Sequence, residues 1–108
     1  MSRPRSARVV LDSLVSERQF QDSVVELATR LGWAVYHTHD SRRSQCGWPD
    51  LAIIRSPRLL IRELKREGEK PTAEQAWWLD ALRQCGVDAG IWWPHNWDEI
   101  ERILGVGE

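Results

Sequence analysis

The stretch from Gly47 to Glu67, GWPDLAIIRSPRLLIRELKRE, limits the fold more than any other part of the chain. Its two apolar runs are interrupted at Ser56-Pro57-Arg58, which predicts two strands joined by a turn. Asp50 opens the first strand and Glu63-Leu64-Lys65 closes the second. Side chains alternate faces along a strand, so Glu63 and Lys65 share one face and Leu64 points to the other. An antiparallel return at the turn carries the end of the second strand back beside the start of the first. Asp50, Glu63 and Lys65 then converge at one end of a hairpin.

Charges at the edge of an apolar sheet are costly unless they are paired. A divalent cation would account for two carboxylates there. Asp and Glu oxygens suit Mg²⁺ or Mn²⁺, which keep several waters and share the rest of their shell with phosphate oxygens. Such an ion can generate hydroxide and neutralise charge on a pentavalent phosphate, while a nearby Lys holds the attacking water. The same residues also allow a plainer arrangement, a Glu63–Lys65 salt bridge with Asp50 capping a turn.

At 108 residues, 42% hydrophobic and 29% charged, the chain has the size and composition of one globular domain. No apolar run approaches the ~20 residues of a membrane span. The start, Met-Ser-Arg-Pro-Arg-Ser-Ala-Arg, lacks an apolar secretory core. The expectation is a cytoplasmic protein with no membrane partner and with free thiols at Cys46 and Cys85. Net charge is only −1, but it is unevenly spread. Residues 41–66 hold seven basic groups (Arg42, Arg43, Arg55, Arg58, Arg62, Lys65, Arg66) against Asp50 and Glu63, a balance of +5, whereas residues 67–108 balance at −6. Positive charge is thus expected around the acidic residues, where local potential would guide a phosphate backbone. A solvated strand face is the alternative for these arginines. Of the seven tryptophans, most are expected in the core, with base stacking open to one or two.

Along the chain, residues 1–15 form a basic arm carrying Arg3, Arg5 and Arg8, and residues 16–108 form the domain. Val9-Val10-Leu11 is an apolar patch that packs on the domain or on a partner. Ser16 with Gln19 matches a capping box, Gly32 marks a stop, and Phe20, Val24, Leu27 and Leu31 recur at helical spacing, so 17–31 is an amphipathic helix. Glu17 in its first turn favours the helix dipole and shares a side with Gln21. Residues 33–39 read as the first strand and 40–45 as a polar loop. His37, His39, Cys46 and Cys85 match no standard zinc spacing. Thr72 with Gln75 is a second capping box and Gly86 a second stop, bracketing a helix whose apolar face is Trp78, Leu79, Leu82 and Cys85, with Trp77 beside them. Residues 87–93 form a fourth strand ended by Pro94. Asn96 with Glu99 predicts the cap of a short final helix with Trp97, Ile100, Ile103 and Leu104 inward. The order αβββαβ with a short C-terminal helix predicts an α/β fold, a mixed four-stranded sheet flanked by helices.

Pro49-Asp50, twelve intervening residues, and Glu63-Leu64-Lys65 resemble the PD-(D/E)xK nuclease signature. Gly47-Trp48-Pro49-Asp50-Leu51, Glu63-Leu64-Lys65, Gln75, Trp78-Leu79 and Leu82 together resemble the VRR-NUC family of that superfamily, over residues 16–93. The resemblance implies a restriction-endonuclease-like core and a Mg²⁺- or Mn²⁺-dependent endonuclease hydrolysing DNA phosphodiester bonds. It implies carboxylate ligands at Glu17, Asp50 and Glu63, with Glu26 a rival to Glu17, and the Leu64 carbonyl as a further ligand. Lys65 would position and activate water, and Gln75 would support it. Arg42, Arg43, Arg62 and Arg66 are the candidate DNA-binding residues, gripping phosphates with little base readout. Since one site cuts one strand, a homodimer acting on branched or junction DNA is expected. A non-catalytic DNA-binding or assembly module with a nuclease-like fold is the alternative.

Overall fold

The computed structural model describes residues 10–38 and 45–108. Helix α1 spans Glu17–Arg30, strands β1, β2 and β3 span Ala34–His37, Leu51–Arg55 and Arg58–Leu64, helix α2 spans Ala73–Gln84, β4 Asp88–Trp92, and α3 Trp97–Leu104. Residues 10–14 are also helical. The strands lie in the order β1-β2-β3-β4, the first three antiparallel and β4 parallel to β3. The protein is therefore α/β, a mixed four-stranded sheet flanked by helices. Among the described residues, no helix is long and apolar enough to cross a membrane.

Local signals set most element ends. Ser16 Oγ accepts from Gln19 N at 3.0 Å while Gln19 Oε1 accepts from Ser16 N at 3.0 Å, closing the capping box that starts α1. Gly32 and Gly86 follow α1 and α2 with positive φ. The β2–β3 hairpin pairs Arg55 with Arg58, leaving Ser56-Pro57, joined by a cis peptide bond, as its two-residue turn. The last helix departs from expectation. Pro94–Asn96 forms a 3₁₀ turn ahead of it, and Asn96 Oδ1 accepts from Trp93 N at 2.9 Å. The Asn96 side chain therefore closes that turn and makes no capping bond to α3.

Strand alternation sorts the core into two layers. On one face Leu51, Ile53, Leu60, Leu64 and Trp92 pack with Phe20, Val24 and Leu27 of α1 and Ile100 and Leu104 of α3. On the other, α2 places Leu79 against Ile61 and Ala89, so it covers only the β3–β4 half of the sheet. The β1–β2 half of that face is left open, with Tyr36, Ile54 and Leu59 exposed. Trp33 and Trp92 are buried, whereas Trp48 and Trp77 are exposed.

The turn end of the hairpin ties both helices of the first layer together. Arg55 Nη1 donates to Leu31 O at 3.0 Å, beyond the last turn of α1, and Arg58 Nη1 donates to Ile103 O at 3.0 Å in the last turn of α3. Their guanidinium carbons stand 4.7 and 5.3 Å from the Trp33 ring centroid, and Trp33 Nε1 donates to Leu104 O at 2.9 Å. Cations at helix C-termini satisfy orphan carbonyls and complement the dipole. Arg55 and Arg58 are thus structural. At ~3.3 Å per residue they lie ~16–20 Å from the Asp50–Glu63 end of the hairpin, beyond a Debye length at physiological salt.

Candidate active site

The antiparallel register sets Leu51 opposite Arg62, so the chain leaving β2 backward passes the end of β3. There Asp50 Oδ2 accepts the Leu64 N–H at 2.8 Å, replacing a ladder bond that the sheet no longer supplies. Leu64 itself turns into the first core layer and is fully buried. Glu63 and Lys65 point to the opposite face, as alternation requires, with Nζ of Lys65 3.7 Å from Oε2 of Glu63. Hydrogen-bonding distance is shorter than this, so the pair is a loose ion contact. Both contacts of the plainer arrangement are therefore present, Asp50 as a backbone cap and Glu63 beside Lys65.

Neither contact satisfies Glu63. This residue is 3% exposed, and its Oε2 accepts from Gln75 Nε2 at 2.9 Å. Its other oxygen, Oε1, is buried without a hydrogen-bond partner. Burial first, and the neighbouring Asp50 charge second, push the Glu63 carboxyl up to about 8, against the opposing pull of Lys65. Asp50 is raised too, chiefly by burial, while the Leu64 N–H, Glu63 and Lys65 draw it down. Hydrogen bonding between the two carboxyls, open to them only while one is protonated, also lowers Asp50 and raises Glu63. When both are ionised neither can donate, and a cation is the remaining way to neutralise them in a desolvated place.

Gln75 reaches Glu63 because α2 begins beside the end of β3. Thr72 Oγ1 accepts from Gln75 N at 3.1 Å, and Gln75 Oε1 accepts from Thr72 N at 2.9 Å. One amide therefore closes a capping box with its oxygen and restrains a carboxylate with its nitrogen. The wall beside it is the segment at Gly47, with φ +87°. A Cβ there would stand 2.6 Å from the Glu74 carbonyl carbon and 2.7 Å from Gln75 N, so only glycine lets this segment lie against α2.

Two clefts meet at Thr38. The inner one, about 340 Å³, is lined by Asp50, Glu63, Gln75, Trp48 and Glu74. The outer one, about 650 Å³, runs along α1 past Glu17, Arg18, Gln21, Glu26 and His37. Thr38 lines both, donating from N to Asp50 O at 3.0 Å and from Oγ1 to Pro49 O at 3.3 Å. Together they form a groove that passes the carboxylate pair. Sequence reading missed Thr38, and it quoted Gly47 only as part of a motif, without its approach to α2. A polar residue closing an otherwise apolar strand and a glycine just before the acidic stretch were their only signals.

Glu17 opens onto the outer cleft, close enough for Asp50 and Lys65 to act on it. Partial burial and then the Asp50 charge raise its carboxyl. Glu26 lies nine residues further along α1, ~13 Å by helical rise, at a remove from this pair. Among the described residues, no three His, Cys, Asp or Glu side chains are gathered closely enough to hold an ion. The expected triad of Glu17, Asp50 and Glu63 is therefore a close pair with Glu17 at a distance. Cys46 and Cys85, both exposed free thiols, cannot share an ion. Cys46 precedes the segment against the start of α2, whereas Cys85 is its C-cap, ~18 Å away along a 12-residue helix.

The basic residues are redistributed relative to expectation. Arg62, a candidate for DNA, is 5% exposed. Its Nη2 pairs with Asp88 Oδ1 at 2.9 Å, its Nη1 donates to Asp88 O at 2.7 Å, and its guanidinium lies 4.7 Å from the Trp92 ring centroid. It points to the α1–α3 face, opposite Glu63, because alternation places 62 and 63 on different sides. Arg66 is exposed, 3.5 Å from Glu69, and close enough for its charge to act on Glu17. His39, Arg42 and Arg43 lie outside the described residues, as do residues 1–9 of the basic arm with Arg3, Arg5 and Arg8.

No family model, curated protein or solved structure matches the chain. What the site can do follows from its own donors. It offers two carboxylates sharing a desolvated corner, one ammonium held loosely beside them, and one amide that fixes the deeper carboxylate.

Proposed function

We propose that this protein is a Mg²⁺- or Mn²⁺-dependent DNA endonuclease with a restriction-endonuclease-like core of the VRR-NUC kind. The observation that carries the reading is Oε1 of Glu63, a buried carboxylate oxygen without a donor, on a carboxyl that lies beside Asp50 and whose other oxygen is 3.7 Å from the Lys65 ammonium.

In this reading Asp50 and Glu63 hold the ion, the Leu64 carbonyl adds a ligand, and Glu17 approaches from across the groove. When bound, the ion supplies a Lewis acid toward a phosphodiester and lowers the pKa of its water. Lys65, on the same strand face as Glu63, orients the attacking water and stabilises negative charge developing on the phosphate. Gln75 keeps Glu63 in one rotamer, so the carboxylate need not reorganise during reaction. Arg18, which lines the groove, and Arg66, near Glu17, would hold flanking phosphates without reading bases.

A homodimer belongs to the same proposal. Ala34, Tyr36, Ile54 and Leu59 share one uncharged sheet face outside the cover of α2, next to the open edge of β1. A self-complementary patch of this kind suits a two-fold interface, and two sites would allow both strands of a branched DNA to be cut. The non-catalytic alternative draws support from Asp50 and Lys65, which already have protein partners. Incubating linear, flapped and four-way DNA with the protein in Mg²⁺ and in Mn²⁺ tests the proposal. Metal-dependent cleavage supports it; tight DNA binding without metal binding or cleavage supports the alternative.

A further inference from the structure

Three tryptophans form a connected ledge at one end of the groove. Trp48 lines the inner cleft together with Asp50 and Glu63. Its ring meets that of Trp78 edge to face, with centroids 5.1 Å apart and planes at 81°. Trp78 in turn meets Trp77 at 5.0 Å and 88°. The ledge ends in solvent, with Trp48 39% and Trp77 62% exposed.

This ledge is built, not incidental. Trp78 Nε1 donates to Cys46 O at 3.0 Å, fastening the strap that carries Trp48 to α2. Gly47 lets the same strap approach the α2 backbone, where any Cβ would collide. The indoles are thus fixed before any ligand arrives, and exposing them is costly unless something covers them. Exposed indole rings braced edge to face, with no side-chain charge of their own, favour a flat aromatic ligand on their free faces.

We propose that Trp77 and Trp48 are a stacking platform for unpaired bases of DNA, so that the substrate carries a single-stranded segment next to the scissile phosphate. The proposal rests on the nuclease reading for its choice of ligand. Continuity supplies the argument, because the wall that ends in Trp48 is the wall of the carboxylate cleft. A backbone lying past Asp50 and Glu63 would place neighbouring bases within reach of Trp48. In a duplex those bases are already stacked and cannot use the ledge; in a flap, gap or fork they can. Stacking is tolerant of base identity, so the platform selects for unpaired structure and not for sequence.

The test uses the full chain and fluorescence anisotropy with three labelled DNAs: an oligo-dT, a blunt duplex, and that duplex with a single-stranded flap. These are measured in metal-free buffer for native protein, Trp77→Ala and Trp77→Phe, with circular dichroism confirming that each variant is folded. Trp77→Ala is expected to weaken oligo-dT and flap binding roughly 5- to 100-fold, the range for loss of one stacked base. Trp77→Phe should recover most of the loss, duplex binding should change less than about twofold, and the salt dependence should keep its slope, since no phosphate contact is removed. Unchanged oligo-dT and flap binding in Trp77→Ala overturns the proposal, as does an equal loss on all three DNAs. A change in sedimentation without a change in oligo-dT binding also overturns it and assigns the ledge to a protein contact. Cleavage of the flapped DNA in Mn²⁺ separates this proposal from the nuclease reading. Trp77-dependent binding without cleavage by native protein sinks the nuclease and keeps the platform, whereas cleavage with the same KM in Trp77→Ala keeps the nuclease and sinks the platform.

Discussion

Gln75 donates from Nε2 to Oε2 of Glu63 at 2.9 Å while its Oε1 accepts the N–H of Thr72 at 2.9 Å. The start of α2 and the position of the deepest carboxylate are therefore set by one side chain, and the two roles can be separated by substitution. Gln75→Ala should lose both, at a stability cost of about 1–2 kcal/mol in urea unfolding. Gln75→Glu should keep the capping box but set a like charge against Glu63. It should unfold close to native at low pH and lose stability as the pH rises, with added Mn²⁺ restoring it. Native-like stability of Gln75→Glu at every pH, with Gln75→Ala destabilised, would show that Gln75 acts only as a cap.

Replacing the reacting groups should leave the fold and remove the chemistry. Asp50→Ala and Lys65→Ala are each expected to lower the single-turnover cleavage rate by at least roughly 100-fold, the lower bound for a positioned acid–base or ion-holding group. DNA affinity without metal should change far less. Native cleavage by either variant in Mg²⁺ would exclude the assignment.

The pH dependence of stability follows from Glu63. Its carboxyl titrates at about 8 in the fold against an ordinary 4.5. Between these values the folded chain holds a proton that the unfolded chain has released, so stability falls as pH rises through this window. Metal-free protein should melt several degrees higher near about pH 5.5 than near about pH 9. Mn²⁺ should reverse the trend by binding the ionised pair, and Glu63→Gln should flatten it. Calorimetry across the window checks this; a melting temperature that climbs with pH in metal-free native protein and in Glu63→Gln alike would contradict it.

Arg62 should behave as a cohesion residue. Arg62→Ala leaves Asp88 without its cation and strips the Trp92 face, and should cost roughly 1–3 kcal/mol, less than a fully enclosed pair because Asp88 is about half exposed. Metal-free DNA affinity should be unchanged once the protein is folded. A selective loss of DNA binding, read by anisotropy at constant stability, would return Arg62 to the DNA surface.

The open sheet face is tested by charge. Ile54→Asp places a carboxylate among Tyr36, Ala52 and Leu59 without removing a core contact. Light scattering should show native protein as a dimer at micromolar concentration and Ile54→Asp as a monomer. A native monomer would remove the dimer from the proposal.

What could be read in the sequence was what is decided locally. Both capping boxes, at Ser16 and Thr72, form as their spacing predicts, and alternation placed Glu63 and Lys65 on one side and Leu64 on the other. The Asn96–Glu99 spacing misled because Pro94 first imposes a 3₁₀ turn, whose Trp93 N–H claims the Asn96 oxygen. The arginines misled for a non-local reason. Nothing near Arg55, Arg58 or Arg62 in the sequence reveals that helix ends and Asp88 come from 24 to 45 residues away to meet them. The exposure of Trp77 depended likewise on how far α2 extends across the sheet.

The guanidinium clamp around Trp33 has a consequence for how this protein tolerates change. The clamp holds the hairpin tip, whereas the proposed reactive corner sits a strand's length away, where a carboxylate oxygen is left short of partners. Substitutions at the tip should therefore loosen the molecule without retuning its chemistry, and alterations at the opposite pole can vary the reaction while the clamp keeps the scaffold intact.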